Sequence, residues 1–460
     1  MSLKHPPMDY EPLRRTKSLP KPDRRFTDEA ARANIAPERK REEKTEPKPL
    51  NETWIHKHGH TFSYAGVFLF TAVVFFRPYE FSKSLSWLST SAFWIAFATL
   101  AVFVITQLGL ENTITARPRE LKLILLVVLL AALSIPQALE PLRAWNSFTV
   151  FLKVVVIFLV MINVIRTEKR LKGLWILVLL ATCILSVNAI NDYRLGRLEL
   201  QGIRIKGAIG SLFDNPNDLA LHLVTMLPIA FALSFSSRNR FSKILYFIVV
   251  LLTVGGIVVT FSRGGFLALI ATIVVLLWKL VRSSRWLIPP VGAALVVLFL
   301  VLAPGGYRSR ISTTGDESSM ARFDDLKRSV YVTVRHPLLG VGMDNYILFS
   351  NVNKSTHNAY TQVSSEMGVA AAVLYVLFIL APFKGLRNIE RKSYEVRSAR
   401  RFFYTSIALQ ASLVGYMVAS FFASVAYLWY IYYLVAYAIC LRRIYDSAVE
   451  NELATVSAPR

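Results

Sequence analysis

Cysteine is almost absent from this chain of 460 residues, and its scarcity argues against two kinds of architecture. Cys183 and Cys440 are the only two cysteines, and both lie within apolar runs. A disulfide framework needs several cysteines at recurring spacings, and a structural zinc site needs a cluster of cysteines and histidines. The sequence therefore predicts no disulfide framework and no metal site, and it gives no indication of a cofactor.

Acidic residues are scarce relative to basic ones. The chain has 30 aspartates and glutamates against 53 lysines and arginines, which gives a formal net charge of +23. In a soluble domain such an excess would suggest a nucleic-acid partner. Here the basic residues lie mainly in the connections between apolar runs, which is typical of membrane orientation. We therefore predict no nucleic-acid partner.

Aliphatic residues are few in the first part of the chain, residues 1–58, which are rich in proline, lysine, arginine and glutamate. Such a segment cannot bury enough apolar surface to offset the entropy lost on ordering, so we predict a disordered tail. No apolar core follows the basic residues at the distance expected of a cleavable signal peptide.

Long apolar runs make up most of the remaining chain. About 18 or more apolar residues are enough for a helix to cross a bilayer. We therefore predict an all-α polytopic membrane protein with about 12 transmembrane helices within residues 59–443. The predicted spans are 61–77, 88–109, 120–138, 145–165, 171–190, 217–235, 243–261, 264–281, 286–303, 363–382, 402–423 and 425–441.

The connections between these spans alternate in charge. Every second one is rich in lysine and arginine, as in 166–172, 238–243 and 384–401. Positive residues are enriched on the cytoplasmic side of membrane proteins, and an even number of spans returns the chain to the side on which it started. Both termini are therefore predicted to be cytoplasmic, with a C-terminal tail at 444–460.

Two predicted outer connections depart from this rule. Segment 191–216 carries four basic residues, including Arg204, and the long outer (periplasmic) loop 304–362 carries seven, including Arg322. Long loops can translocate regardless of charge, and some of these cations can pair with nearby aspartates. The alternative is that the outward cations bind an anionic ligand such as a phosphate or diphosphate.

Three spans enter from the outer side behind residues that favour a helix N-terminus. Asn215 precedes the sixth span, Ser262 precedes the eighth, and Thr356 or Asn358 precedes the tenth. Asparagine, serine and threonine side chains cap helices by accepting backbone N–H groups. A helix N-terminus carries a partial positive charge, so the three ends would form an anion-binding surface if they converge.

The turn at the eighth span adds a formal charge to this surface. Arg263 follows Ser262 at the predicted outer surface of the bilayer, where arginine is normally scarce. Gly264 and Gly265 are expected to let a ligand approach the free backbone N–H groups. The alternative is that Arg263 only anchors a helix end among the lipid headgroups.

Lys153 lies well within the fourth span, where a charged side chain costs roughly 2.5–3.5 kcal/mol unless it is compensated. Two placements are open. The side chain either snorkels toward the outer surface, or it lies inside the bundle with Glu366 or a lipid diphosphate as its partner.

Several short motifs follow one another in the second half of the chain. They are Gly-Ser-Leu-Phe-Asp-Asn-Pro-Asn-Asp-Leu-Ala at 210–220, Ser-Arg-Gly-Gly at 262–265, Arg322 ahead of His-Pro-Leu-Leu-Gly-Val-Gly at 336–342, His-Asn-Ala-Tyr at 357–360 and Glu-Met-Gly at 366–368. In this order they resemble the bacterial O-antigen ligase and O-antigen polymerase superfamily. Many members have a Gly-Arg pair followed by tryptophan, where this chain has Ala321, Arg322 and Leu326.

The resemblance implies a membrane-embedded glycosyltransferase of the C type that uses neither metal nor cofactor. Such an enzyme transfers a glycan from an undecaprenyl-diphosphate donor to a hydroxyl of a glycan or lipid A-core acceptor, at the outer face of the bacterial inner membrane. Lipopolysaccharide and exopolysaccharide are the implied product classes, and membrane lipids are further partners. Ligase and polymerase differ only in the acceptor, which the sequence leaves open.

Within that chemistry, His357 is expected to act as the general base, because a helix N-terminus and nearby cationic loops both favour neutral imidazole. Arginine suits a leaving diphosphate because it binds phosphate oxygens bidentately. The residues expected to bind the diphosphate are Arg263, Arg322, Arg204 and Lys153. The supporting residues are Ser262, Gly264, Gly265, Asn358 and Glu366. Two other histidines, His222 and His336, are expected to have structural roles.

A transporter or flippase of lipid-linked glycans is the alternative function. Twelve spans and a charged residue within one of them fit a transporter as well. Such a protein should show two six-span halves with helices broken in corresponding places. The sequence shows no such repeat, and its candidate site residues are mostly predicted to lie on one face of the membrane.

Overall fold

Helices are the only regular secondary structure in the part of the chain that the structure describes. The computed structural model describes residues 60–81, 83–111, 115–197, 205, 207, 213, 215–281, 315–350, 355–394, 396 and 399–457. The main helices there are α1 (Thr61–Phe76), α2 (Ser91–Glu111), α3 (Arg119–Ser134), α4 (Pro141–Val164), α5 (Glu168–Arg194), α6 (Pro216–Ser236), α7 (Arg240–Val259), α8 (Arg263–Leu280), α9 (Gly315–Arg335), α10 (Ala359–Tyr394), α11 (Arg400–Ala419) and α12 (Trp429–Ser457).

The predicted spans agree well with these helices. Eleven of the twelve overlap a helix, namely α1 to α8 and α10 to α12. The remaining span, 286–303, and the predicted tail 1–58 lie outside the described residues. Within the described residues, eight helical segments are long and apolar enough to cross a membrane. An all-helical polytopic membrane protein is therefore confirmed, while the number of twelve spans remains a prediction.

Helix extends into two segments that the sequence analysis assigns to a tail and to a loop, and their boundaries remain predictions. The last span was expected to end at 441 and a tail to begin at 444, but α12 continues to Ser457. The apolar run ends near Leu441. A helix can continue beyond an apolar run when the following residues have sufficient helix propensity. The predicted outer loop 304–362 also contains regular structure, because α9 occupies much of its middle.

The core of the bundle is built on α6 and α12. Every residue from Tyr430 to Leu441 is buried, and most of α6 is buried as well. A helix that is apolar all round belongs in the interior of a bundle. Helix α7 is different, because it exposes large apolar side chains such as Phe241, Ile244 and Leu251. That face is suited to contact with lipid.

One end of the bundle collects the basic connections. Arg442 donates two hydrogen bonds to Glu120, of 3.0 and 3.3 Å. Lys279 Nζ lies 2.7 Å from Glu390 Oε2. These residues come from connections that the charge pattern predicts to be cytoplasmic. We call this the basic end of the bundle.

The opposite end collects the sequence motifs. Ser262 bonds Asn217 there, and Asn345 Oδ1 accepts a hydrogen bond of 2.8 Å from Glu140 N. We call it the motif end. The alternation of connections predicted from charge is therefore reproduced as two opposite ends. Which of them faces the cytoplasm remains a prediction.

Candidate functional site

The turn between α7 and α8 is fixed by hydrogen bonds from its own side chains. Thr260 Oγ1 accepts from Ser262 N at 3.3 Å, and Phe261 takes a left-handed conformation with φ 51°. Ser262 Oγ then accepts from Gly265 N at 3.1 Å. Ser262 is therefore the N-cap of α8, as predicted, and Arg263 is the first residue of the helix.

The start of α6 lies directly beside this turn. Asn215 caps α6 by accepting from Asn217 N at 3.0 Å, so this predicted cap is also confirmed. Ser262 Oγ donates to Asn217 Oδ1 at 2.7 Å, in a buried contact. One serine side chain thus caps α8 and attaches it to the first turn of α6.

Gly264 and Gly265 lie at close contacts between helices. A Cβ atom at Gly265 would clash with Cβ of Ala220 on α6, and one at Gly264 would lie 2.6 Å from Cβ of Phe422. The space in front of both Cα atoms is therefore filled by neighbouring side chains. Both glycines therefore let helices approach closely, and the N–H of Gly265 is bonded to Ser262, while the approach of a ligand to this turn remains a prediction.

The start of α10 surrounds the predicted base. Asn358 Oδ1 accepts from Tyr360 N at 2.9 Å and from Thr361 N at 3.1 Å, so Asn358 is the capping residue. Thr356 Oγ1 donates to Asn358 O at 2.8 Å. His357 lies between them, half-buried, with φ 50°. Its two neighbours thus hold its backbone in an unusual left-handed conformation.

The segment 420–424, between α11 and α12, connects these helix starts. Phe422 packs against Gly264 at the start of α8. Ser424 Oγ lies 3.3 Å from Thr356 Oγ1, just before α10. Because α6 and α8 are already joined, the three helix N-termini converge at the motif end, as the sequence suggested. Their partial positive charges therefore act on the same region.

Arg263 and His357 both flank this segment. Arg263 precedes Gly264, which packs against Phe422. His357 follows Thr356, whose hydroxyl contacts that of Ser424. Both side chains are half-buried and so retain some exposure. The fold thus brings Arg263 and His357, which are far apart in the sequence, close to the same short segment.

Arg322 lies on α9. The middle and last turns of this helix contact residues of the motif end. Tyr346 Oη donates to Asp325 O at 3.1 Å, and Thr333 Oγ1 lies 2.9 Å from Ser364 Oγ on α10. Burial and the nearby Asp325 raise the pKa of Tyr346 to about 12, so its hydroxyl stays protonated as a donor. Arg322 is half-buried on this helix.

The turn 336–342 and a kink in α10 form a single unit. Three backbone hydrogen bonds of 2.9 Å join them, from Val341 N to Ser365 O, from Gly342 N to Glu366 O and from Val369 N to Pro337 O. Gly368, at the kink, has φ 88°, and a Cβ there would clash with Leu338 O. Glycine is needed at this position because L-residues rarely adopt that conformation. The motifs at 336–342 and 366–368 therefore lie side by side, joined by backbone hydrogen bonds.

Comparison with known protein families bears on this region. Residues 247–376 match the family model described as O-antigen ligase. The match supports assignment to the O-antigen ligase and polymerase superfamily. The matched segment contains the Ser262 cap, Arg263, the turn 336–342 and His357. A comparison with curated proteins gave no match.

Glu366, in the matched segment, is buried inside the protein. Its side chain is 3% exposed, and Oε2 accepts a hydrogen bond of 2.7 Å from Tyr427 Oη. Lys153 is exposed instead, with Nζ 5.9 Å from the centroid of the Phe93 ring. The placement of Lys153 inside the bundle is therefore wrong, whereas snorkelling of its side chain toward the outer surface remains a prediction. Arg204 lies outside the described residues.

The two histidines expected to be structural are consistent with that expectation. His222 is fully buried, and Nε2 lies 3.0 Å from Thr182 Oγ1. The side chain of His336 is exposed beside Phe349, while its carbonyl oxygen accepts from Gly340 N at 3.1 Å. His336 therefore contributes its backbone to the turn.

Sequence reasoning missed the contribution of residues 420–427. Besides the contacts of Phe422 and Ser424, Ala426 N donates to Gln362 Oε1 at 3.3 Å and Tyr427 bonds Glu366. The segment is apolar enough to read as a short turn between two spans. The signal that could have identified it is the presence of serine and tyrosine within an otherwise apolar run.

Metal-binding groups are not assembled in the described part of the chain. No group of three or more histidine, cysteine, aspartate or glutamate side chains is placed there to hold an ion. Cys183 is half-buried in α5 and Cys440 is buried in α12, and both are free thiols.

Proposed function

We propose that this protein transfers or polymerises a glycan from an undecaprenyl-diphosphate donor onto a hydroxyl acceptor at the outer face of the bacterial inner membrane. The family match indicates O-antigen ligase-like glycan transfer in general terms. The convergence of three helix N-termini beside Arg263 and His357 carries the more specific proposal. Helix N-termini and arginine both bind phosphate groups well.

The donor diphosphate is proposed to lie against the starts of α6, α8 and α10. Arg263 is the first residue of α8, so its guanidinium and the helix dipole would act on the same anion. Arg322 and Arg204 are proposed to approach from the loops. Lys153 can take part only from the exposed surface of α4, where a lipid-linked donor would pass.

The proposed reaction is a displacement at the anomeric carbon of the donor sugar. The acceptor oxygen forms the new glycosidic bond, and the bond between the sugar and the diphosphate breaks. His357 accepts the proton of the acceptor hydroxyl, and undecaprenyl diphosphate leaves with the bonding electron pair. Thr356 and Asn358 support this role because they hold the backbone of His357 on both sides.

The leaving diphosphate gains negative charge as the bond breaks. We propose that Arg263 and Arg322 compensate this charge in place of a metal ion. A guanidinium presents several N–H donors in a planar fork that matches two phosphate oxygens. Preorganised donors of this kind stabilise a transition state most when they act where charge develops.

The proposed orientation places the motif end in the periplasm and both termini in the cytoplasm. The clustering of Arg442 and Lys279 with their partners at the opposite end supports it, since positive residues are enriched on the cytoplasmic side.

Deletion of the gene followed by analysis of surface glycans tests the proposed function. Complementation with the parent chain should restore the glycans, whereas His357→Ala and Arg263→Ala should fail at comparable protein levels. His336→Ala is the matched control, because that histidine is exposed in a neighbouring turn and should leave function intact. Normal glycans with both His357→Ala and Arg263→Ala would overturn the assignment.

The same experiment separates the two acceptors. Loss of a polymerase should leave single repeat units attached to the acceptor. Loss of a ligase should leave full-length chains linked to the lipid carrier.

A further inference from the structure

Two adjoining cavities begin at the basic end. One has a volume of about 1070 Å³ and lies among α3, α10, α11 and α12. The other has a volume of about 600 Å³ and lies among α8, α10 and α11. They share the side chains of Phe383, Arg387, Arg391 and Val414, so they form one continuous recess along the last turns of α10. We call it the basic recess.

The recess has a surplus of positive charge. Six basic side chains line it, against two acidic ones, Glu120 and Glu390. Both carboxylates already have cationic partners: Glu120 accepts two hydrogen bonds from Arg442, and Glu390 accepts from Lys279 at 2.7 Å. The surplus of four positive charges therefore comes from the remaining cations, Arg119, Lys384, Arg387 and Arg391.

The side chains of those four cations make no hydrogen bond and no ion pair within the part of the chain that the structure describes. Lys384, Arg387 and Arg391 follow each other at spacings of three and four residues, so they lie on one face of α10. Like charges at these spacings repel one another, and an anion between them would remove that repulsion.

The walls of the recess are apolar where it continues toward the middle of the bundle. Leu380, Phe383, Val414 and Met417 line the larger cavity. The side chain of Leu380 is also exposed at the surface of the bundle. An anion site that continues into an apolar surface at the end of a membrane helix matches a phosphate headgroup joined to acyl chains.

We propose that the basic recess binds an anionic phospholipid, with its phosphate among Lys384, Arg387 and Arg391 and an acyl chain along Leu380 and Phe383. The lipid would bridge α10 to α3, α11 and α12 and so hold together the end of the bundle opposite the glycan site. This inference does not depend on the proposed function.

Lipid addition to the purified full-length chain in detergent tests the proposal. Native mass spectrometry reports bound lipid, and thermal unfolding reports stabilisation. We expect phosphatidylglycerol to bind and to raise the unfolding temperature, whereas phosphatidylcholine and inorganic phosphate at equal concentration should do neither. Equal binding of phosphatidylcholine would overturn the proposal, and so would a shift produced by phosphate alone, because that would indicate a free-anion site.

A charge-matched pair of variants locates the site. The combination of Lys384→Gln, Arg387→Gln and Arg391→Gln should weaken phosphatidylglycerol binding on the order of a hundredfold, given the typical contribution of each cation near an anionic lipid. The control combines Arg117→Gln, Arg240→Gln and Lys243→Gln, which remove the same charge from exposed positions outside the recess. Equal weakening in both sets would show non-specific attraction and overturn the assignment. If the first set does not purify, the lipid comparison on the parent chain still decides.

Discussion

Ser262 Oγ donates a buried hydrogen bond of 2.7 Å to Asn217 Oδ1, and so ties the start of α8 to the start of α6. The same oxygen accepts the N–H of Gly265. Two helix ends of the candidate site therefore depend on one hydroxyl group. The positions of Arg263 and of the α6 dipole relative to each other are set by this contact.

Replacement of Ser262 by alanine should destabilise the protein by about 1–2 kcal/mol, because a helix cap and a buried hydrogen bond are lost together. Glycan transfer should fall as well, since Arg263 is the next residue. Unfolding in detergent and transfer activity measure the two effects. Ser237→Ala is the control, because Ser237 bonds only to the backbone at the far end of α6. Unchanged stability in Ser262→Ala would contradict the dual role of this hydroxyl.

Gly265→Ala should destabilise the chain by about 1–3 kcal/mol, the usual cost of inserting a methyl group into a filled contact. The added Cβ would clash with Ala220 on α6. Adding Ala220→Gly should restore part of the loss by making room. Thermal unfolding of the two single variants and the double variant measures the coupling. Additive losses, without recovery, would mean that the two helices do not meet at these residues.

Gly368→Ala should disrupt the kink of α10. An L-residue at φ 88° costs about 1–3 kcal/mol of backbone strain, and the new Cβ would also clash with Leu338 O. Gly109→Ala is the matched control, because nothing lies within 4 Å of a Cβ at that position. We expect a lower unfolding temperature for the first variant and no loss for the second. Equal behaviour of the two would argue against the attachment of the turn 336–342 to α10.

His357→Ala should reduce turnover by about 10²–10⁴-fold, the range associated with loss of a general base. Stability should change little, because Thr356 and Asn358 make the capping contacts around it. A reconstituted transfer assay with lipid-linked donor measures turnover, and thermal unfolding verifies the fold. Loss of activity that is accompanied by unfolding would assign His357 a structural role instead.

Treatment with a chelator should leave glycan transfer unchanged. The reason is that guanidinium groups and helix N-termini are proposed to compensate the diphosphate, which removes the need for a divalent ion. Transfer is measured before and after EDTA, and again after addition of Mg²⁺. A loss that Mg²⁺ restores would contradict this part of the mechanism.

Much of the helical layout could be predicted from the sequence, because the bilayer imposes a simple length and polarity on each span. The caps at Asn215, Ser262 and Asn358 were also predictable, since capping depends on local side-chain chemistry. Long-range contacts were less accessible. Nothing local to Gly265 shows that Ala220 lies against it, and nothing local to Lys153 shows which side of its helix faces the bundle.

The kink of α10 illustrates the same limit. Glu366, Met367 and Gly368 were recognised as a motif, yet their spacing does not reveal that the preceding turn attaches there. That attachment depends on backbone atoms from residues 24 to 32 positions apart. The pairing of Glu366 with Tyr427 was missed for a similar reason, because the two residues are 61 positions apart in the sequence.

The attachment between 336–342 and α10 uses main-chain atoms for all three of its hydrogen bonds. Leu338 and Val369 expose their side chains while their backbones take part in the contact. The contact is therefore insensitive to which side chains occupy those two positions, while Gly368 cannot be exchanged. Substitutions at Leu338 and Val369 should therefore leave the path of the backbone into α10 unchanged.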